Sequence, residues 1–146
     1  MIKLCVFDFD STIMDGETID ILAAANNASN KVASITKRSM NGELDFFESL
    51  TARVKFLKGM SLSKADEICK NLPIMPGASE LIDALKQKGI KVVVFSGGFH
   101  IATDKMQEKL KFDANFANIL HHKDGILTGE VGGEMMFGSS KGEMID

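Results

Sequence analysis

Apolar and polar positions along the chain follow two periods, one typical of buried strands and one typical of helices. Residues 2–7 (IKLCVF) and 90–96 (IKVVVFS) are apolar runs too short for helices. Such runs are typical of parallel strands buried on both faces. Residues 77–89 and 97–110 have helical spacing instead, and a glycine ends the first of them. The alternation of strand and helix predicts an α/β fold with a parallel sheet.

Residues 16–72 contain several helical patterns and no strand-like run. The clearest pattern, residues 43–57, has an apolar stripe at spacings of three and four, formed by Leu44, Phe47, Leu50, Val54 and Leu57. Because these helices interrupt the α/β pattern directly after its first strand, we predict a small inserted helical cap. The expected boundaries are residues 15–75 for the cap, with residues 1–14 and 76–146 forming the α/β core.

The remaining sequence predicts a hairpin and a last helix. Residues 123–125 (Lys-Asp-Gly) separate two extended runs and suit a tight turn between antiparallel strands. A further helix is expected to begin near Ser140.

Composition and charge narrow the classes of partner. The 146 residues are 45% hydrophobic and 25% charged, with a formal net charge of −3, so no basic surface is expected for nucleic acid or anionic membrane. The sequence has no run of ~18 apolar residues and no signal-peptide pattern. Cys5 and Cys69 lack metal-ligand spacing and are expected to be buried thiols. We expect a cytoplasmic protein with a small-molecule partner, no nucleic acid and no membrane.

Two aspartates, Asp8 and Asp10, follow the first predicted strand and precede the turn-formers of DST. Two crowded carboxylates repel each other unless a cation lies between them, and Mg²⁺ prefers such oxygen ligands. The alternative is that one aspartate caps the turn and the other is solvated. The spacing alone leaves both open.

Two further elements suit a phosphate. Ser96, Gly97 and Gly98 follow the second predicted strand, where a hydroxyl and backbone N–H groups at a helix start can bind an anion. The alternative is a glycine turn required only for positive φ. Lys141 lies at the start of the last predicted helix, where a cation opposes the helix dipole unless an anion is nearby. The alternative there is a solvated lysine.

Three elements, taken in their order along the chain, resemble the motifs of the haloacid dehalogenase superfamily of aspartyl phosphotransferases. They are DxDST, a serine at a strand end and a lysine at a helix start. The segments GETID, IMPGA, SGGF and KDGILTGEV narrow the resemblance to its phosphoserine phosphatase family. This resemblance implies a Rossmann-like α/β core with an inserted helical cap. It also implies Mg²⁺-dependent hydrolysis of O-phospho-L-serine through an aspartyl-phosphate, as a step of serine biosynthesis.

The resemblance also implies roles for the core residues. Asp8 would be the nucleophile, and Asp10 the general acid and base. Mg²⁺ would be held by the Asp8 carboxylate and the Asp10 backbone carbonyl. Ser96 and the Gly97 amide would bind phosphate oxygens, and Lys141 would stabilise the developing charge.

Substrate choice would lie in the cap. Phe46 and Arg53 are about 20° apart around a helix, so both can face the core. Arg53 would bind the substrate carboxylate and Glu17 the ammonium, while Met40 and Phe46 would exclude water. From the residues alone, Arg53 as a surface ion-pair partner and Phe46 as plain core remain alternatives.

The chain departs from the family pattern at its end. Members carry a later strand with an acidic GDGxND-type cluster, and this sequence stops at residue 146 before any such motif. We therefore expect a truncated form, whose first strand is an exposed edge open to self-association. Alternatives are the same scaffold acting on another small phosphomonoester, a catalytically incomplete fragment, and a phospho-acceptor signalling domain.

Overall fold

The computed structural model describes residues 3–133 and contains a four-stranded sheet in the spatial order β1-β2-β3-β4. The strands are β1 (Leu4–Asp8), β2 (Lys91–Phe99), β3 (Ala114–Lys123) and β4 (Ile126–Gly133). β1 and β3 both pair with β2 in parallel, and β4 pairs with β3 antiparallel. The predicted α/β class is confirmed. So is the predicted hairpin, whose turn residues Asp124 and Gly125 have φ of 54° and 76°.

The described helices fall into two groups. Between β1 and β2 lie first α1 (Thr18–Ala25), α2 (Ser29–Met40), α3 (Phe46–Val54), a short 3-10 helix (Lys55–Leu57) and α4 (Leu62–Lys70). Then α5 (Ala78–Gln87) leads into β2, and α6 (His100–Leu110) connects β2 to β3. The first group occupies the range expected for the cap. Its separation from the core as a domain stays a prediction.

Local sequence explains where the helices of the first group begin. Asp45 and Glu48 form a reciprocal capping box at the start of α3, which satisfies two backbone N–H groups that the helix leaves unpaired. The Ser61 hydroxyl accepts from the Lys64 N–H at 3.1 Å and caps α4. These two caps place the first residues of α3 and α4 at Phe46 and Leu62.

One apolar cluster joins the first group of helices to the sheet. Leu50, Val54 and Leu57 are buried as predicted, where α3 and the 3-10 helix pack on β4. The prediction for Phe47 is wrong, since this side chain is 45% exposed. Phe47 lies in the first turn of α3, at the end remote from the 3-10 helix that continues the buried stripe.

Backbone hydrogen bonds also tie the segment before α4 to the hairpin. Gly59 N–H donates to the Leu127 carbonyl at 3.0 Å, and Leu127 N–H donates to the Met60 carbonyl at 2.8 Å. The Leu62 N–H donates a third hydrogen bond, to the Gly125 carbonyl at 2.8 Å. Main-chain pairing thus ties the segment between the 3-10 helix and α4 to the hairpin of β3 and β4.

β1 is the edge strand of the sheet formed by the described residues. Its interior side chains are half-buried and Leu4 is 52% exposed, so the expectation of burial on both faces is wrong for this part of the chain. The physical reason is that only β2 pairs with β1 within residues 3–133. Cys69 is buried as expected, whereas Cys5 is half-buried, and both thiols are free.

Two further expectations concern the last helix and membrane spans. The helix expected near Ser140 falls outside the described residues. None of the helices between residues 3 and 133 combines the length and hydrophobicity needed to span a membrane.

Candidate active site

The two motifs singled out in the sequence meet at one edge of the sheet. Asp8 ends β1 and is the direct neighbour of Phe95 in the parallel pairing, so Ser96 follows beside it on β2. A Cβ atom placed on Gly98 would lie 3.0 Å from Ser96 Oγ and 3.2 Å from Asp10 Oδ2. Both polar atoms therefore border the same small space at the carboxyl end of the strands.

The turn after β1 holds its aspartates through local hydrogen bonds. Asp8 Oδ1 accepts from the Phe9 N–H at 2.9 Å. Ser11 adopts a φ of 61°, and its N–H donates to the Gly16 carbonyl at 2.8 Å, which closes the turn. The Ser11 hydroxyl donates to Glu17 Oε1 at 3.0 Å, which brings Glu17 back beside the strand end.

Asp10 is bound by the first residue of α1. Its Oδ1 atom accepts from the Thr18 hydroxyl at 2.7 Å and from the Thr18 N–H at 3.1 Å. Burial raises the pKa of Asp10 to about 6, an effect that the Thr18 hydrogen bonds oppose and the charges of Glu17 and Asp8 increase. A carboxyl with this pKa can both give and take a proton near neutral pH.

The prediction that the glycines of SGGF open a helix is wrong. They lie in the irregular end of β2, and α6 begins only at His100. The pairing passes from Phe95–Phe116 to Phe99–Asn118, so β2 advances four residues while β3 advances two. The extra residues form a bulge, a device by which a strand can redirect its backbone beside a site.

The glycines of this bulge are required by crowding rather than by backbone angle. Positive φ values occur at other described glycines but not at Gly97 or Gly98, so the turn alternative is wrong. A Cβ on Gly97 would overlap the Phe46 ring, with Cε1 at 3.0 Å. Phe46 thus lies directly over the bulge, and at 41% exposure it is not a core residue.

Hydrogen bonds hold the bulge from two sides. Gly98 N–H donates to Ser96 Oγ at 2.8 Å, and Asn118 Nδ2 donates to the Gly97 carbonyl at 3.2 Å. The sequence interpretation missed both Asn118 and Thr18. An asparagine inside the apolar run of β3 was the available signal for Asn118, since buried amides need partners.

Arg53 lies on α3, with its Nε donating to the Ser49 carbonyl one turn earlier at 3.3 Å. Burial lowers the pKa of this guanidinium, while the nearby charges of Asp20, Glu17 and Asp10 raise it. Arg53 is half-buried and lies within electrostatic reach of Asp20, Glu17 and Asp10.

The remaining predicted residues are placed differently. Glu17 directly precedes α1 and bonds to Ser11, close to Asp10. Met40 ends α2 with its side chain 82% exposed, and lines a depression of about 320 Å³ together with Asp20 and Lys37. At that exposure Met40 is not packed over the bulge. Lys141 lies outside the described residues.

The candidate metal ligands are oxygen atoms. Asp8 and Asp10 are close enough for the charge of one to raise the pKa of the other, a repulsion that a bound cation would relieve. Within residues 3–133 no group of three or more His, Cys, Asp or Glu side chains forms a metal site. Carboxylate and carbonyl oxygens nevertheless fit Mg²⁺, which usually takes one or two protein carboxylates and completes its shell with water and phosphate.

Known proteins share both the sequence and the fold. The family model for haloacid dehalogenase-like hydrolases matches residues 2–145. The chain is 65% identical over 143 residues to a phosphoserine phosphatase of Wolinella succinogenes, covering 98% of this chain and 69% of that protein.

Solved structures give the same result. A substrate-bound phosphoserine phosphatase complex superposes with a TM-score of 0.92 at 44% identity. A phospho-aspartyl intermediate analogue of phosphoserine phosphatase superposes with a TM-score of 0.91 at 45% identity. Each match covers 99% of this chain and 69% of the solved chain.

Proposed function

This chain belongs to the haloacid dehalogenase-like hydrolase family, and we propose that it hydrolyses O-phospho-L-serine to L-serine and phosphate, the step that releases serine in its biosynthesis. The observation that carries the proposal is the meeting of Asp10 Oδ2 and Ser96 Oγ around Gly98, beside the end of β1. Relatives and solved structures named phosphoserine phosphatase support this choice of substrate.

In the first half-reaction Asp8 is the nucleophile. A carboxylate oxygen of Asp8 attacks phosphorus, the bond from phosphorus to the serine oxygen breaks, and an aspartyl-phosphate forms on Asp8. The electron pair of the broken bond goes to the serine oxygen, which takes a proton from Asp10. The similar solved structure described as a phospho-aspartyl intermediate analogue supports this route.

In the second half-reaction Asp10 acts as a base. It takes a proton from water while the water oxygen attacks phosphorus, so that inorganic phosphate leaves and the Asp8 carboxylate is regenerated. A pKa of about 6 suits a group that must be an acid in one step and a base in the next. Burial, the main cause of that pKa, is therefore part of the proposed mechanism.

Phosphate oxygens would be bound by the Ser96 hydroxyl and the Gly97 N–H. Because Gly98 N–H donates to Ser96 Oγ, the hydroxyl hydrogen of Ser96 points away from Gly98 and can be donated to the ligand. The role of Lys141 in stabilising the transferring phosphoryl group stays a prediction.

The Asp8 carboxylate and the Asp10 backbone carbonyl would hold Mg²⁺. When bound, Mg²⁺ supplies positive charge between the anionic nucleophile and the anionic phosphate. The Phe9 N–H donates to the Asp8 carboxylate at the strand end, so the protein itself positions this carboxylate.

Substrate choice is proposed to rest on the cap. Arg53 would bind the substrate carboxylate, and Glu17 would bind the ammonium group. Phe46, which covers Gly97, would exclude water from the reacting phosphate. The contribution proposed for Met40 stays a prediction, because its side chain is exposed.

Self-association and location complete the proposal. β1 is the edge of the described sheet, and an apolar edge can pair with a second chain. Sedimentation analysis should show a species larger than a monomer, and a monomer at every concentration would contradict this. The cytoplasmic location rests on the free thiols of Cys5 and Cys69, and cell fractionation would test it.

The decisive experiment is phosphate release from L-phosphoserine by the 146-residue chain, with and without Mg²⁺, beside the Asp8→Asn variant. We expect metal-dependent turnover that the variant lacks. Turnover that survives in Asp8→Asn would contradict the role of Asp8. Absence of turnover above this blank would contradict the function for this chain and favour a catalytically incomplete site.

A further inference from the structure

The peptide that joins Gly97 to Gly98 is held at both of its polar atoms. Its carbonyl accepts from Asn118 Nδ2 at 3.2 Å, and its N–H donates to Ser96 Oγ at 2.8 Å. A peptide group is planar, so these two bonds together fix the rotation of the whole unit.

Asn118 is an unusual residue for its position. It is fully buried in β3. Its side-chain amide must be hydrogen-bonded there, because an unpaired buried amide carries a desolvation cost. A bulge takes carbonyl groups of the bulged strand out of the regular ladder. The side chain of Asn118, at the point where regular pairing with Phe99 resumes, supplies a donor to one of them.

We propose that Asn118 is a positioning residue for the phosphate site, holding the Gly97 carbonyl so that the adjoining N–H occupies Ser96 Oγ and the Ser96 hydroxyl is directed to the phosphate. This inference rests on the proposed function, because it assumes that Ser96 binds a phosphate oxygen. It adds a residue, on a different strand, that acts through the bulge and not by contact with the ligand.

The direction of the Ser96 hydroxyl is where the effect would arise. With Gly98 N–H bonded to Ser96 Oγ, the single hydroxyl hydrogen must point elsewhere. Without Asn118 the peptide can rotate and release Ser96. Asp10 Oδ2 borders the same space, so a released hydroxyl can donate to Asp10 instead of to the ligand.

A double-mutant cycle on phosphate affinity tests this coupling. The probe is inorganic phosphate. Its dissociation constant is measured by calorimetry with Mg²⁺ for the wild-type 146-residue chain, Asn118→Leu, Ser96→Ala and the double variant. Each single substitution is expected to weaken binding roughly tenfold or more, as loss of a hydrogen bond to a charged group does. The double variant should bind no more than about twofold more weakly than Ser96→Ala, because Asn118 acts through Ser96.

Effects that multiply in the double variant would overturn the inference, as would unchanged affinity in Asn118→Leu. Asn115→Leu is the matched control, because Asn115 lies on the same strand but bonds to Thr103, Asp104 and Gln107. It should keep wild-type phosphate affinity. If Asn118→Leu does not fold, Asn118→Ala takes its place in the cycle.

This test is separate from the test of the proposed function. Phosphate binding is measured without turnover, so a chain that fails to hydrolyse phosphoserine can still show or lack the coupling. Conversely, an active enzyme in which Asn118 and Ser96 act independently would overturn only the role of Asn118.

Discussion

The hydroxyl of Thr18 donates a hydrogen bond of 2.7 Å to Asp10 Oδ1, and the Thr18 N–H donates to the same oxygen at 3.1 Å. One oxygen of this carboxyl is therefore occupied as an acceptor. The proton of the acid form is left to Oδ2, the atom that borders Ser96 and Gly98. Thr18 begins α1, so the first helix after β1 orients the proposed general acid toward the phosphate site.

The first prediction concerns Thr18→Val, which keeps the size of the side chain and removes its donor. We expect kcat/KM for phosphoserine to fall roughly tenfold, since one hydrogen bond to a charged group is lost. p-Nitrophenyl phosphate should be affected less, because its leaving group needs little protonation by Asp10. Steady-state kinetics on both substrates gives the ratio, which does not depend on the fraction of active protein.

Thr18→Ser provides the matched control, as it retains the hydroxyl. It should keep most of the wild-type activity on phosphoserine. If Thr18→Val lowered kcat/KM for both substrates by the same factor, Thr18 would support only the local fold.

The second prediction concerns the contact between Gly97 and Phe46. In Gly97→Ala the new methyl group would overlap the Phe46 ring, so this ring cannot keep its position over the bulge. We expect a loss of phosphatase activity of at least tenfold with little change in the melting temperature, because the displaced Phe46 ring is 41% exposed and its movement uncovers little buried area. In the Phe46→Ala background the ring is absent, so Gly97→Ala should lower the activity by a smaller factor than it does in the wild type. An equal factor in both backgrounds would mean that the methyl group disturbs the backbone itself.

Sequence reasoning succeeded where the chemistry is local. Asp8, Asp10 and Ser96 each follow a short apolar run, and the carboxyl ends of parallel strands meet at one edge, so their proximity follows from the fold class. The hairpin turn is likewise set by neighbouring residues, with Asp124 and Gly125 at positive φ.

It failed where the outcome depends on distant partners. A strand followed by two glycines can turn directly into a helix or bulge first, and the register with β3 decides between them. The bonds from Thr18 to Asp10 and from Asn118 to Gly97 span 8 and 21 residues of sequence and have no periodic signal. The exposure of Phe47 depends on where the packing of α3 ends.

The third prediction concerns substrate choice by Arg53. Arg53→Gln should raise KM for phosphoserine about tenfold or more, because a charge-assisted hydrogen bond to the substrate carboxylate is lost. Phosphoethanolamine has the ammonium and phosphate but no carboxylate, so its KM should change little. Arg38→Gln is the matched control, since Arg38 is exposed and paired with Glu43. Equal effects of Arg53→Gln on both substrates would contradict carboxylate binding and favour another phosphomonoester.

The last prediction concerns the contact between α4 and α6. Lys105 on α6 forms an ion pair with Asp66 on α4, and Lys70 lies 3.8 Å from the same carboxylate. The hydrogen bond from Lys105 lowers the pKa of Asp66 below its ordinary value. A carboxyl whose pKa is lower in the folded state stabilises the protein above its unfolded pKa of about 3.9 and loses that contribution as the pH falls through the folded value.

Asp66→Asn should therefore lower the free energy of unfolding at pH 6 by less than about 1 kcal/mol, because the pair is partly exposed and screened. Between pH 5 and pH 2 the wild type should lose this increment and approach the variant. Urea unfolding across that range measures the difference, and Asp83→Asn, an exposed position on α5, should keep the wild-type dependence. A constant difference between wild type and Asp66→Asn down to pH 2 would mean that Asp66 acts through packing rather than through its charge.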